Sequence, residues 1–148
     1  PRGIPDNLVP YITQSAIGKR KKIKVFGMDY ETSDGTPVRD YIHVVDLANA
    51  HVQALNRLIE KKSKKFYEFF NVGTGKGHSV LEVIKSFEKV NNIKLPYEIV
   101  GRREGDIEKI YSDTNLSRNE LNWKAERNLD EMMKSAWKWE KTLKDLGS

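Results

Sequence analysis

Two arginines, Arg39 and Arg103, each stand beside a carboxylate in a loop bounded by glycine. The first lies in Val38-Arg39-Asp40-Tyr41-Ile42-His43, the second in Arg102-Arg103-Glu104-Gly105-Asp106. A guanidinium is a planar fork of donors that matches phosphate oxygens, and a nearby carboxylate either holds that fork or accepts from ribose hydroxyls. Two such loops, distant in sequence, are what gripping a diphosphate requires. Taken singly, each arginine is explained as well by an ion pair with a neighbouring Asp or Glu. Only their combination with the rest of the chain points to a nucleotide ligand.

Other chemistry-bearing patterns lead nowhere so specific. Gly73-x-Gly75-x-Gly77 invites a phosphate-loop reading, but the dinucleotide fingerprint needs glycine where His78 stands. A P-loop would need it at Phe70. A structural turn between strand and helix is the better reading. His43, His51 and His78 form no zinc pattern, and no cysteine is present to complete one, so no metal site is expected. Asp46 reads as a helix cap and Asp113 as a turn residue. No nucleophile elbow and no Ser, His and Asp constellation occurs, so no catalytic residue is assigned. Trp123, Trp137 and Trp139 sit beside or within helices, where packing in a core is expected.

Composition sets the remaining bounds. The chain has 148 residues, is 38% hydrophobic and carries three Trp and five Phe. That is one domain's worth, able to bury roughly 68–70% of its unfolded surface. The net charge is +5, which suits an anionic partner without naming one. Much of the excess lies in Lys19-Arg20-Lys21-Lys22 and Lys61-Lys62-Ser63-Lys64-Lys65, runs that read as solvated surface. The absence of cysteine excludes disulfides and thiolate chemistry. No apolar stretch is long enough for a membrane helix and no signal-peptide pattern appears, so a cytoplasmic location is expected. The chain opens on Pro1-Arg2-Gly3-Ile4-Pro5 without an initiator Met, as a portion of a longer chain would.

The elements alternate. Start and stop signals predict a helix over 7–17, and Lys22-Ile23-Lys24-Val25-Phe26 alternates as a strand. Residues 28–37 read as loop and 38–44 as a second strand. Asp46 would cap a helix over 47–62 with Leu47, Ala48, Ala54, Leu55, Leu58 and Ile59 facing inward. The run 66–72 reads as a strand buried on both faces, as in a parallel sheet. Ser79 caps a helix with Leu81, Ile84 and Phe87 inward. A short strand over 97–100, a short helix over 115–121 and a C-terminal helix with Leu129, Met132, Met133, Ala136, Trp137 and Leu143 inward complete the reading. The expected class is α/β, a small mixed lobe with few short strands.

The sequence resembles the C-terminal part of the UDP-glucose 4-epimerase family, within the extended short-chain dehydrogenases/reductases. The resemblance rests on residues 1–12, on Phe26-Gly27-Met28-Asp29-Tyr30-Glu31-Thr32-Ser33-Asp34-Gly35-Thr36-Pro37-Val38-Arg39-Asp40-Tyr41-Ile42-His43-Val44, on Asn71-Val72-Gly73-Thr74-Gly75-Lys76-Gly77-His78-Ser79-Val80, on Arg102-Arg103-Glu104-Gly105-Asp106 and on Glu120-Leu121-Asn122-Trp123. It implies the C-terminal part of an NAD(P)-binding Rossmann-type enzyme, a homodimer when whole, whose N-terminal domain holds NAD and a Tyr-x-x-x-Lys pair. Neither the fingerprint nor that pair occurs here.

The family's reaction takes hydride from C4 of the hexose to NAD, lets the 4-keto sugar turn over and returns the hydride. UDP-galactose and UDP-glucose are thereby interconverted. By the resemblance, 1–148 is the UDP-sugar-binding portion, with the NAD-binding domain outside it, and is inactive alone. Asn7 and Leu8 would lie near the sugar-phosphate end, and Lys24, Val25 and Phe26 along the uracil. Arg39 and Arg103 would bind the phosphates and Asp106 the ribose. Ile110 would stand beside the hexose, where residue size goes with acceptance of N-acetylated sugars. Two rival readings are a basic nucleic-acid-binding module and an interaction domain whose arginines form internal ion pairs.

Overall fold

The computed structural model describes residues 7–147, so the opening stretch of the quoted motif, 1–6, lies outside the described residues. In chain order the elements are α1 (Leu8–Ala16), β1 (Ile23–Phe26), β2 (Val38–Arg39), α2 (Val44–Ile59), β3 (His78–Ser79), α3 (Val80–Asn91), β4 (Tyr97–Val100), β5 (Lys109–Ile110), α4 (Asn115–Leu121) and α5 (Leu129–Asp145). β1 pairs with β4 in parallel, Ile23 opposite Tyr97. β2 is the centre of a second small sheet, antiparallel to β3 and parallel to β5. The class is α/β with few, short strands.

The main core forms where α1, α3 and α5 close over β1. Ile12, Ile23, Val25, Leu81, Val83, Ile84, Phe87, Met132 and Met133 meet there, and the Phe87 ring meets Trp137 edge-on at 5.8 Å. α3 and α5 both start with reciprocal caps. Glu82 N donates to Ser79 Oγ while Ser79 N donates to Glu82, and Asn128 and Glu131 repeat the arrangement. In β1 the strand's two-residue period sends Ile23 and Val25 into this core and leaves Lys24 and Phe26 on the other face.

A second cluster gathers Ala50, Leu121 and Trp123, with Phe70 and Val72 against them. Its polar centre is Arg57, only 7% exposed. The guanidinium takes both oxygens of Glu68 at 2.8 and 3.0 Å and one of Glu120 at 3.0 Å, and donates to the Glu120 carbonyl at 3.1 Å.

Several expectations need correction. α2 begins at Val44 rather than 47, because the His43 ring accepts from Val45 N at 3.1 Å and does the capping itself. Asp46 is therefore inside the first turn, buried, accepting from Glu126 N, Arg127 N and the Arg127 guanidinium. The strand from Val38 stops at Arg39, since Asp40 turns to other partners. No strand forms over 66–72. On α2 the inward face is Asp46, Ala50 and Arg57, while Leu55, Leu58 and Ile59, expected inside, are exposed. Trp139 is exposed as well.

Two measurements check this packing. Phe87→Ala should lower unfolding stability by about 3–5 kcal/mol in a denaturant titration, because the ring is wholly enclosed. The second concerns pH. The hydrogen bond from Arg57, helped by Lys64 N, holds the Glu68 carboxyl down to about 2. A carboxylate with a depressed folded value stabilises the fold above the unfolded value of 4.5, and that contribution fades as pH falls towards about 2. Thermal midpoints should thus fall through this window, and Glu68→Gln should make the fall shallower.

Candidate functional site

A hollow of about 580 Å³ opens between the start of α1, the free face of β1, β2 and the 101–106 loop. Asn7 and Leu8 stand at one end, where α1 begins. Lys24 and Phe26 reach it because the pleat of β1 turns them away from the core. Arg39 enters from β2, and Arg103 and Asp106 from the glycine-bearing loop. The residues of two distant loops thus share one wall.

Their contacts define the electrostatics. Arg39 forms an ion pair with Asp106 and donates to the Val38 carbonyl at 2.8 Å. The Arg103 guanidinium lies over the Phe26 ring, 4.5 Å from its centroid, as a cation over a π face. Tyr41 is pushed up to about 12 by burial, so its phenol stays neutral beside this pair. Three cationic side chains, Lys24, Arg39 and Arg103, face the hollow with two carboxylates, Asp40 and Asp106.

Asp40 is already engaged. It accepts from Thr74 N at 2.9 Å, Gly75 N at 3.0 Å and Ser112 N at 3.2 Å, and from the Thr74 hydroxyl. The glycine-rich turn is therefore tied to a protein carboxylate, and a Cβ at Gly73 would overlap both Asp40 and Ser112. A second tie joins the 27–37 loop to the 101–106 loop. Arg102 Nε donates to Asp29 at 2.8 Å, and its guanidinium lies 4.0 Å over the Tyr30 ring. This hydrogen bond holds the Asp29 carboxyl below its ordinary range.

Of the residues singled out in the sequence, Asn7, Leu8, Lys24, Phe26, Arg39, Arg103 and Asp106 line the hollow together. Two do not. The Val25 side chain is fully enclosed in the core, as the alternation of β1 demands. Ile110 pairs with Arg39 across β2 and β5 but is half exposed, outside the walls. The sequence reading missed Tyr11, Pro37, Tyr41 and Val80 as wall residues. Tyr41 stands two places from Arg39 and Tyr11 one turn after Leu8, so spacing could have found both. Val80 carries no such signal.

The arrangement can hold a planar ring and a dianion side by side, but it places no nucleophile or general base at a reacting centre. A smaller polar hollow of about 390 Å³ is lined by Asp46, Arg118 and Trp123, and the Asp46 carboxylate on its wall is engaged by Glu126 N and Arg127 N. No group of side chains suited to a metal ion occurs among the described residues.

Comparison with known proteins places the chain. The family model described as GDP-mannose 4,6 dehydratase matches residues 1–136. The chain is 57% identical over 141 residues to the UDP-glucose 4-epimerase of Pasteurella multocida and 50% identical over 141 residues to that of Homo sapiens. Each alignment covers 95% of this chain, and 41% and 40% of the relatives, so the chain spans about two fifths of their length. A Stenotrophomonas maltophila UDP-glucose-4-epimerase solved with NAD and formylated UDP-arabinopyranose superposes with a TM-score of 0.94 at 46% identity, over 99% of this chain and 43% of its own. A Bifidobacterium longum UDP-glucose 4-epimerase solved with NAD+ and UDP gives 0.89 at 47% identity, over 96% and 41%. The chain therefore belongs to the family that the GDP-mannose 4,6 dehydratase model describes, and its kin there are UDP-glucose 4-epimerases.

Proposed function

We propose that this chain is the part of a UDP-glucose 4-epimerase that holds the UDP of the sugar nucleotide while the hexose turns over. One observation carries the reading: Arg39 and Arg103, far apart in sequence, line a single hollow with an aromatic face and a carboxylate. In this reading the uracil lies along Lys24 and Phe26, with backbone groups of Val25 contributing although its side chain does not. The guanidinium forks take the diphosphate, and Asp106 exchanges its pairing with Arg39 for the ribose hydroxyls. Asn7 and Leu8 border the sugar-phosphate end, and Ile110 acts at most through its strand's position beside Arg39. Each charged hydrogen bond contributes roughly 1.5–3 kcal/mol. A firm hold on UDP suits a reaction whose other end must stay loose, because binding at the remote group positions the reacting one.

NAD does not fit the residues present. Among the described residues the turn that most resembles its cradle, 73–77, has the N–H groups of Thr74 and Gly75 committed to Asp40. The space that a pyrophosphate would need at Gly73 is filled by Asp40 and Ser112. The redox chemistry accordingly belongs to the part of the relatives' length that this chain does not span, an N-terminal NAD-binding domain. Dimerisation of the whole enzyme is assigned to that domain too. Catalysis is expected in the cytoplasm, and no helix among the described residues is long and apolar enough to cross a membrane.

Calorimetric titration with UDP tests the reading. The chain should bind UDP in preference to AMP, and Arg39→Ala and Arg103→Ala should each weaken binding by roughly 10- to 150-fold. Equal binding of both nucleotides with a steep loss in salt would favour a nucleic-acid module instead. No binding at all would leave the arginines as internal ion-pair residues.

Mixed with UDP-galactose and NAD, the chain alone should form no UDP-glucose; turnover above background would refute the assignment of the chemistry elsewhere. Arg102→Ala should weaken UDP binding a few-fold without moving the thermal midpoint. Its ion pair is solvent-exposed and contributes little to stability, yet it ties the loop of Arg103 to that of Tyr30.

A further inference from the structure

Arg102 and Arg103 are neighbours in the chain and both lie over aromatic rings, yet they are held differently. Arg102 sits 4.0 Å over Tyr30 and is also fastened to Asp29, through the carboxylate at 2.8 Å and through the carbonyl. Arg103 sits 4.5 Å over Phe26 and, among the described residues, has no carboxylate or carbonyl within bonding distance. A Cβ at Gly101 or at Gly105 would meet nothing within 4 Å, so the stretch that carries Arg103 stands clear of the protein. Its guanidinium is therefore held by one ring, and that ring lies on the free face of β1, in the wall of the hollow. At 4.5 Å from the centroid the guanidinium fills the layer that a base stacked on Phe26 would occupy.

We propose that the contact between Arg103 and Phe26 is a specificity device, which favours a ligand carrying a flat base and a diphosphate on one scaffold over either part alone. It rests on the reading of the hollow as a UDP site and adds a coupling between its two halves. A nucleoside that stacks on Phe26 must push the guanidinium off the ring and offers it no anion in return. Free pyrophosphate draws the guanidinium away and leaves the ring bare to water. UDP does both at once: the base takes the ring, the diphosphate takes the guanidinium, and the contact is lost once for two gains. Arg103 is exposed and Phe26 half-buried, and a cation over a ring in such a setting is worth roughly 2- to 5-fold in an equilibrium constant. Base and diphosphate should therefore assist one another by about that factor. Arg102 cannot act in this way, because Asp29 keeps it in place whatever happens at its ring.

Titrations of the chain with uridine, inorganic pyrophosphate and UDP, followed by proton and phosphorus NMR, test the coupling through changes of opposite sign. Arg103→Ala should tighten uridine binding roughly 2- to 5-fold while weakening UDP and pyrophosphate. Phe26→Leu should tighten pyrophosphate by about the same factor while weakening uridine and UDP. Both reversals are required. Uridine binding that is unchanged, weaker or undetectable in Arg103→Ala overturns the proposal, a weakening meaning that the guanidinium closes over the base as a second layer. Should Phe26→Leu fail to fold, the Arg103→Ala result decides alone, since that side chain is exposed. Failure of the unaltered chain to bind UDP removes the reading of the hollow and the coupling with it. UDP binding without the reversals removes the coupling only.

Discussion

The Asp40 carboxylate holds three backbone N–H groups, those of Thr74, Gly75 and Ser112, that would otherwise lie unpaired in separate loops. A carboxylate accepting several N–H bonds is a strong anchor, since ionised acceptors make roughly twice the bond of neutral ones. It stops β2 after two residues and pins the glycine turn, and so fixes the neighbouring Arg39 at the mouth of the hollow. Gly73 is required here because any side chain would intrude on that carboxylate. The motif that most resembles a phosphate cradle serves to position the arginine instead.

Around that anchor the hollow keeps its charges occupied. Asp106 neutralises Arg39, and the Phe26 ring supports the Arg103 guanidinium. A bare cluster of cations would repel itself, so each arginine has a partner that an incoming anion can replace. Arg39 and Asp106 are both more than two thirds buried, so neither charge could give up this pairing without another to replace it. The loops bearing these groups are tied to one another through Arg102, Asp29 and Tyr30.

The second cluster follows a different logic. Arg57 is buried with Glu68 and Glu120, and it makes four contacts, three to carboxylate oxygens and one to a carbonyl. Breaking such a set leaves a buried charge unpaired, which is far more costly than losing an exposed pair. That polar interior forces the apolar side chains of α2 outward. Periodicity alone marks a helix with one apolar stripe and cannot say which way the stripe faces. The sequence reading sent Leu55, Leu58 and Ile59 inward for this reason, and the ion-pair cluster reverses it.

Much of the fold was legible beforehand, for local reasons. The cap at Ser79, the alternation through Ile23–Phe26 and the apolar spacing of α5 all act over a few residues, so sequence alone determines those elements. Residue type and loop setting single out Arg39 and Arg103 as candidates, the family resemblance adds Asp106, and all three line one hollow. Three things needed tertiary structure. The meeting of the two arginine loops depends on packing between segments far apart in the chain. The failure of 66–72 to form a strand depends on whether a partner strand lies beside it, because a strand's hydrogen bonds are made to other segments. The orientation of α2 depends on where a buried Arg57 finds its carboxylates, and no window along the sequence contains that information.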